Sequence, residues 1–515
     1  MNLYSIFNNS KQNYPNNIAL MVDKIPYSYK KLSVIIGEIS NELLKSDGNQ
    51  VALLAHKSVV AYAGLLAALK SGKTYVPLNP KFPNSRNKKI ISLSESSVVI
   101  VDNRCIKSLI ELLPLLNEPI TFIFPETQKE NIPEIASHHF VVSKEDLTKE
   151  NDIIVDVEKD HLAYLLFTSG STGVPKGVPI SHNNVLSYTE YMYNRYDVLP
   201  TDRFSHVPDL TFDLSVHDLY LSFRGGAGLY CVPDNVVMAP AKFINTHQLT
   251  FWCSVPSLVQ IMGRFKMLKP SNFPSIRWSM FCGEPLPKNV AIQWQGAAVN
   301  TQIDNVYGPT ETTVSITYYV LPKKAEDIKE KNGVVCIGTV FDTQELCLVD
   351  ENDIPNDVTG EICLSGSQVA KGYWKDEENT AKQFVKLEGK GDRIWYKTGD
   401  IAKYEDGFLF YMARKDFQVK IRGYRIELDE INDAIAKLIE KTMVYTIPHP
   451  VVNGIADNLY TFVEGDSEMS KKDILLALGK ILPTYMLPRD IFFIAEFPLN
   501  MNGKVDRKKL IEKII

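Results

Sequence analysis

"LLFTSGSTGVPKGVPISH", Leu165–His182, sets glycines, hydroxylated residues and a single lysine behind an apolar run. The run "HLAYLLFTSG" reads as a buried strand that delivers the chain into a loop. "SHNNVLSYTEYMYNRY" reads as a helix with Ser181 as its cap. A strand–loop–helix passage aims backbone N–H groups at one point, which is how an anion is held. The stretch therefore predicts a phosphate loop, although not that of the P-loop NTPases. That motif needs G-x-x-x-x-G-K-[ST], whereas Lys176 is followed by Gly177 and has no glycine immediately before it. The one GKT in the chain, Gly72-Lys73-Thr74, has Ala67 where the first glycine belongs.

Outward from this loop, the first half alternates strand-like runs ("NQVALLAHKS", "SSVVIVD") with a helix-like one ("VVAYAGLLAALKSG", ending at Gly72). Such alternation predicts a layered α/β architecture. From Glu345 to Ala413 the pattern changes to short strands with turn signals, a β-rich subdomain. The main boundary falls at 414–416. Beyond it, 417–515 reads as a compact α+β unit. It comprises a strand "FQVKIRGYRIEL", a helix with Leu428, Ile431, Ile435 and Leu438 on one face, strands "TMVYTIP", "LYTFVEG" and "DIFFIA", and a helix from Lys471 to Leu482. The expected fold is thus a large N-terminal α/β domain, 1–413, followed by a small C-terminal domain.

At 515 residues the chain is long enough for two or more compact units. A formal net charge of -5 argues against nucleic acid as a bulk electrostatic partner. The seven cysteines form no CxxC pair and read as buried reduced thiols. The nine histidines include no HExxH, and His138-His139 lies in a polar stretch, so no structural metal site is expected. The N-terminus is polar, unlike a signal peptide, and no apolar run reaches the ~18 residues of a membrane helix. A cytoplasmic enzyme without a membrane partner is expected.

Eight stretches, in order, resemble the adenylate-forming enzyme superfamily. They are "LKSGKTYVPLNP", "LLFTSGSTGVPKGV", "FDLSVHD", "FCGEPLP", "NVYGPTETT", "GEICLSGSQVAKGYW", "YKTGDIAKYEDGFLFYMARKDFQVKIRGYRIEL" and "NMNGKVDRKKL". Within the superfamily the chain is most similar to the amino-acid adenylation domains of nonribosomal peptide synthetases and to D-alanine–carrier-protein ligases. The resemblance covers nearly the whole chain. It implies ATP-dependent activation of an amino acid as aminoacyl-AMP, then transfer to a phosphopantetheine thiol on a carrier protein. The alternatives are a D-alanine–carrier-protein ligase proper, or an acyl- or aryl-CoA ligase, which shares the nucleotide site.

The resemblance also assigns residues. Thr168, Ser169, Ser171, Thr172 and Lys176 would donate to the β- and γ-phosphates of ATP, with Gly170, Gly173 and Gly177 giving the backbone access. Tyr307 would stack on adenine, and Asn305, Gly308, Gly283 and Glu284 would complete the nucleotide wall. Thr310 would contact phosphate and Glu311 would ligate Mg²⁺, a hard cation suited to oxygen ligands. Asp400 would accept from the ribose hydroxyls beside Arg414. Asp213 matches the aspartate that pairs with a substrate α-ammonium, which a buried carboxylate needs in order to stay charged. The side-chain pocket would comprise Leu214, His217, Cys253, Met280, Cys282, Val306, Val314 and Ser315, a lining that suggests a compact substrate. Lys504 would bridge the substrate carboxylate and the α-phosphate. Asp416 would be the hinge of a mobile C-terminal domain whose loop at Gly423 faces the incoming thiol. Ala413 stands where the family commonly has glycine. With only eleven residues after Lys504, the carrier is expected in trans.

Overall fold

The computed structural model describes residues 2–149, 152–170, 174–416, 418–440, 443–452, 455–499 and 505–514. The large N-terminal α/β part is built on two extended sheets. Among the described residues, the first has seven strands in the order 140–142, 121–123, 98–101, 50–54, 74–78, 162–168 and 176–181. All neighbours are parallel except the last pair. The second has nine, and its central strands Gly228–Cys231, Arg203–His206, Phe251–Ser254, Trp278–Phe281 and Gln302–Tyr307 are all parallel.

Between these sheets the chain places its most apolar helices. Val59–Lys70 is buried at every position, as a helix without a polar face must be. Its first turn is secured by Ser58, whose side chain accepts from the Ala61 amide. Residues of this helix, of Tyr29–Leu43, His182–Tyr196 and Leu214–Arg224, and of both sheets share one core cluster. The loops at the carboxyl ends of the parallel strands therefore rest on a rigid base, the usual place for a site in such sheets.

Residues 344–414 contribute a six-stranded antiparallel sheet. After it come a two-stranded hairpin (Gln418–Ile421, Tyr424–Glu427), a helix (Leu428–Ile439) and a three-stranded sheet (Val444–Val452, Ile455–Glu464, Asp490–Ile494). The helix buries Leu428, Ile431 and Ile435, three members of its predicted apolar face. No helix is long and apolar enough to cross a membrane among the described residues.

Three local expectations are corrected. The phosphate loop joins strand to strand: Lys176–Ser181 folds back antiparallel on Leu162–Thr168, with Thr168 opposite Lys176. The helix starts only at His182, where Ser181 and Asn184 form a reciprocal cap. A strand thus separates the start of this helix from the loop. "FQVKIRGYRIEL" is a hairpin, because Arg422 (φ 52°) and Gly423 (φ 80°) both take left-handed conformations and reverse the chain. The helix begun at Lys471 ends at Leu478 rather than Leu482.

Candidate active site

A cavity of about 560 Å³ opens where the C-terminal hairpin meets the large domain. Asp213, Leu214, Cys282, Gly283, Gly308, Thr310 and Val314 line it from one side, and Lys420, Gly423, Tyr424 and Arg425 from the other. Asp213 precedes helix Leu214–Arg224, so its carboxylate is held at the cavity wall by a rigid element. Burial raises its pKa to about 6, with the Thr310 hydroxyl and the Lys420 charge opposing that rise. An added cation close to Asp213 would be favoured there.

Of the predicted side-chain pocket, Leu214, Cys282 and Val314 line this cavity with Asp213. His217, Cys253, Met280 and Ser315 are buried behind them and line neither this cavity nor its neighbour. Thr313 (φ 58°) and Val314 (φ 71°) both sit in the left-handed region, which is strained for a β-branched residue. Gln368 holds this turn: its backbone carbonyl accepts from Thr313 Oγ1 at 2.7 Å, and its Nε2 donates to the Ser315 carbonyl at 2.8 Å. Gly308 passes so close that a Cβ would lie 2.5 Å from Ser315 Cα.

A second cavity of about 320 Å³ adjoins the first and is lined by Gly283, Glu284, Asn305, Val306, Tyr307, Gly308, Asp400 and Arg414. Tyr307 donates to Asp400 Oδ2 at 2.6 Å, and Arg414 Nη1 donates to Asp400 Oδ1 at 2.8 Å. The same guanidinium makes a two-point contact with Asp416, at 2.7 Å each. The predicted ribose acceptor and the predicted hinge residue are thus tied through one arginine.

Glu311 is fully buried. Tyr373 donates to its Oε1 at 2.9 Å, and Arg425 Nη1 reaches Oε1 at 3.1 Å and Oε2 at 2.9 Å. Burial pushes its pKa up, but Arg425 and the hydrogen bonds outweigh that and leave it below the ordinary carboxylate range. Lys176 stands with Nζ 4.3 Å over the Tyr373 ring, and Ser169 Oγ donates to the Arg425 carbonyl at 2.8 Å. Gly423 N donates to Glu284 Oε1 at 2.7 Å. Thr168, Ser169, Lys176, Glu284, Glu311 and Thr310 are therefore gathered around the seated hairpin. Ser171, Thr172, Gly173 and Lys504 lie outside the described residues.

Sequence reasoning missed Arg425, Tyr373 and Gln368. Each stands inside a quoted motif, yet its partner lies 53 to 114 residues away, which no local pattern reveals.

Residues 7–374 match the family described as AMP-binding enzyme. The D-alanine–D-alanyl carrier protein ligase of Bacillus licheniformis is 28% identical over the full length of both chains. Bacitracin synthase 1 of the same organism is 30% identical over 99% of this chain, which matches 9% of that longer protein. The crystal structure of the Vibrio cholerae adenylation domain AlmE in complex with glycyl-adenosine-5'-phosphate superposes with a TM-score of 0.89. It is 30% identical, over 99% of this chain and 97% of that one. Fold, site geometry and full-length similarity agree: this chain belongs to the AMP-binding enzyme family and is an AMP-forming ligase of the adenylation superfamily.

Proposed function

We propose that the enzyme activates a small amino acid, glycine or alanine, as its adenylate and passes it to a phosphopantetheine thiol on a carrier protein. The observation that carries this reading is Asp213 in the cavity wall beside Leu214, Cys282 and Val314, with the deeper pocket positions closed off. A carboxylate there suits an α-ammonium group, and the apolar wall of Leu214, Cys282 and Val314 beside it suits a compact, uncharged side chain. The similarity to D-alanine–D-alanyl carrier protein ligases and to a domain bound to a glycyl adenylate supports the same choice.

In the first step the substrate carboxylate attacks the α-phosphorus of ATP, and the bond to pyrophosphate breaks. Thr168, Ser169, Lys176 and Thr310 would donate to the phosphates, and Lys504 would offset the repulsion between two anions. Tyr307 would flank the base and Asp400 would accept from the ribose. Glu311 offers a buried carboxylate that fits a magnesium ion shared with phosphate oxygens, provided that Arg425 withdraws; such an ion would neutralise charge on the leaving pyrophosphate. In the second step the thiol sulfur attacks the acyl carbonyl carbon and AMP departs. Asp416 would serve as the hinge between steps, and the hairpin at Gly423 would flank the thiol's approach.

The test is ATP–pyrophosphate exchange over a panel of L- and D-amino acids and their des-amino analogues. Glycine or alanine should drive exchange at least ~10-fold better than any larger amino acid, since one unwanted methylene costs ~1–3 kcal/mol in a closed pocket. Acetate and propionate should be inactive. Equal exchange with propionate would overturn the amino-acid reading in favour of an acyl-CoA ligase.

A further inference from the structure

Four donor residues meet beneath the amino-acid pocket. His206 ends strand Arg203–His206, Cys253 lies on the adjacent strand Phe251–Ser254, and the pairing of Phe204 with Phe251 sets the two side by side. Helix Leu214–Arg224 packs on strand Arg203–His206 and lowers His217 and Asp218 toward the cluster. Donor atoms of His217, Asp218 and Cys253 lie within 4.8 Å of one another, and His206 Nδ1 is 3.7 Å from Asp218 Oδ2. Tyr188 OH stands 2.7 Å from His217 Nδ1 and orients that ring, as partners behind a metal-ligating histidine do.

A second, separate observation points to a ligand. Asp218 and His206 are both 0% exposed. Among the described residues, neither oxygen of Asp218 and neither ring nitrogen of His206 has a hydrogen-bond partner. Four buried polar atoms without a protein partner in one place are costly, and they ask for something that all of them can bind. The nearby Lys57 does not supply it, since its ammonium is spent on the Val207 and Val232 carbonyls and on Asp234.

We propose that His217, Asp218 and Cys253, joined by His206, bind a zinc ion directly behind the amino-acid pocket. Mixed imidazole, thiolate and carboxylate donors suit Zn²⁺, whereas Mg²⁺ and Ca²⁺ prefer oxygen ligands alone. One thiolate and one carboxylate balance a dication, so the buried cluster becomes neutral as a whole. Binding releases the Cys253 proton to solvent and needs no other reactant. The ion would tie two strands to the helix that begins beside Asp213 and so fix the depth of the pocket. The inference concerns metal content, and it stands or falls separately from the choice of substrate.

The test uses the intact enzyme, expressed with zinc in the medium and purified without chelator or metal-affinity resin. Elemental analysis should find about one zinc per chain, with Cys253→Ala and Asp218→Asn holding at most about a tenth of that. Removal of zinc by dipicolinate should lower the Tm of the wild type by about 5 °C, and zinc but not magnesium should restore it. Cobalt added to the zinc-free wild type should produce near-ultraviolet thiolate-to-metal absorption, a readout that survives if the variants do not fold. Wild-type protein without zinc and without a cobalt–thiolate signal would overturn the proposal, as would Asp218→Asn with full zinc content.

Discussion

At Asp213 the chain holds one cavity carboxylate whose ionisation would, on the proposed function, govern amino-acid binding. Burial has raised its pKa to about 6 in the substrate-free enzyme. An α-ammonium pairs with the ionised form only, so affinity is complete above about pH 6 and falls as pH drops through that value. KM for the amino acid should rise about tenfold per pH unit below 6, while KM for ATP stays nearly flat. Asp213→Asn should remove this pH dependence and weaken amino-acid use by ~2–5 kcal/mol, through an ammonium left without its partner. Pyrophosphate exchange followed against amino-acid concentration from pH 5 to 8 measures both. An amino-acid KM that ignores pH in the wild type would show that Asp213 pairs within the protein instead.

Among the elements, the hairpin Gln418–Glu427 is seated closely against the large domain. Gly423 (φ 80°) rests so close to the large domain that a Cβ would stand 2.6 Å from Val255 Cγ1. Gly423→Ala should therefore unseat the hairpin, slowing aminoacyl transfer by about 10-fold or more while leaving adenylate formation close to wild type. Single-turnover measurement of each half-reaction separates the two, and equal losses in both would deny the hairpin a step-specific role. The same hairpin shows where sequence legibility stops. "VKIRGYRI" alternates apolar and polar residues across its turn, so the period of a strand conceals the reversal, and Arg422 is an unexpected left-handed residue. The strand after the phosphate loop is disguised in a similar way. It carries Pro179, yet it forms the sheet edge, where proline is tolerated. Val59–Lys70 and the Ser181 cap are legible because an unbroken run of apolar residues long enough for a helix and a capping serine are both local signals. The meeting of Arg425 with Glu311 was not, since it depends on how distant units close.

Across the whole molecule, the two domains are joined by ionic as well as apolar contacts. Tyr424 stacks on Tyr485 at 3.9 Å, and the Phe212 and Phe82 rings approach this pair from the large domain. Beside them Arg86 Nη1 meets Glu430 Oε1 at 2.7 Å, with both side chains almost wholly buried. Breaking such a pair by removing one partner costs about 3–5 kcal/mol, because the other charge stays buried. Arg86→Met should therefore disfavour this domain arrangement. Transfer to the carrier thiol should slow by about 10-fold or more and adenylation should persist, whereas Arg86→Met with Glu430→Gln should recover part of the loss. Interdomain fluorescence distances and half-reaction rates report on this, and an unchanged distance distribution in Arg86→Met would refute it. Glu311 has a wider consequence. Its two oxygens face Arg425 in this arrangement, and one carboxylate cannot serve a guanidinium and a phosphate-bound dication at once. If Glu311 holds a dication during adenylation as proposed, the site would work as a turnstile, with Arg425 of the hairpin taking the seat only once that cation has left. On the proposed function, competition for that single seat would set the order of the two half-reactions, and a high concentration of pyrophosphate would run the turnstile backwards.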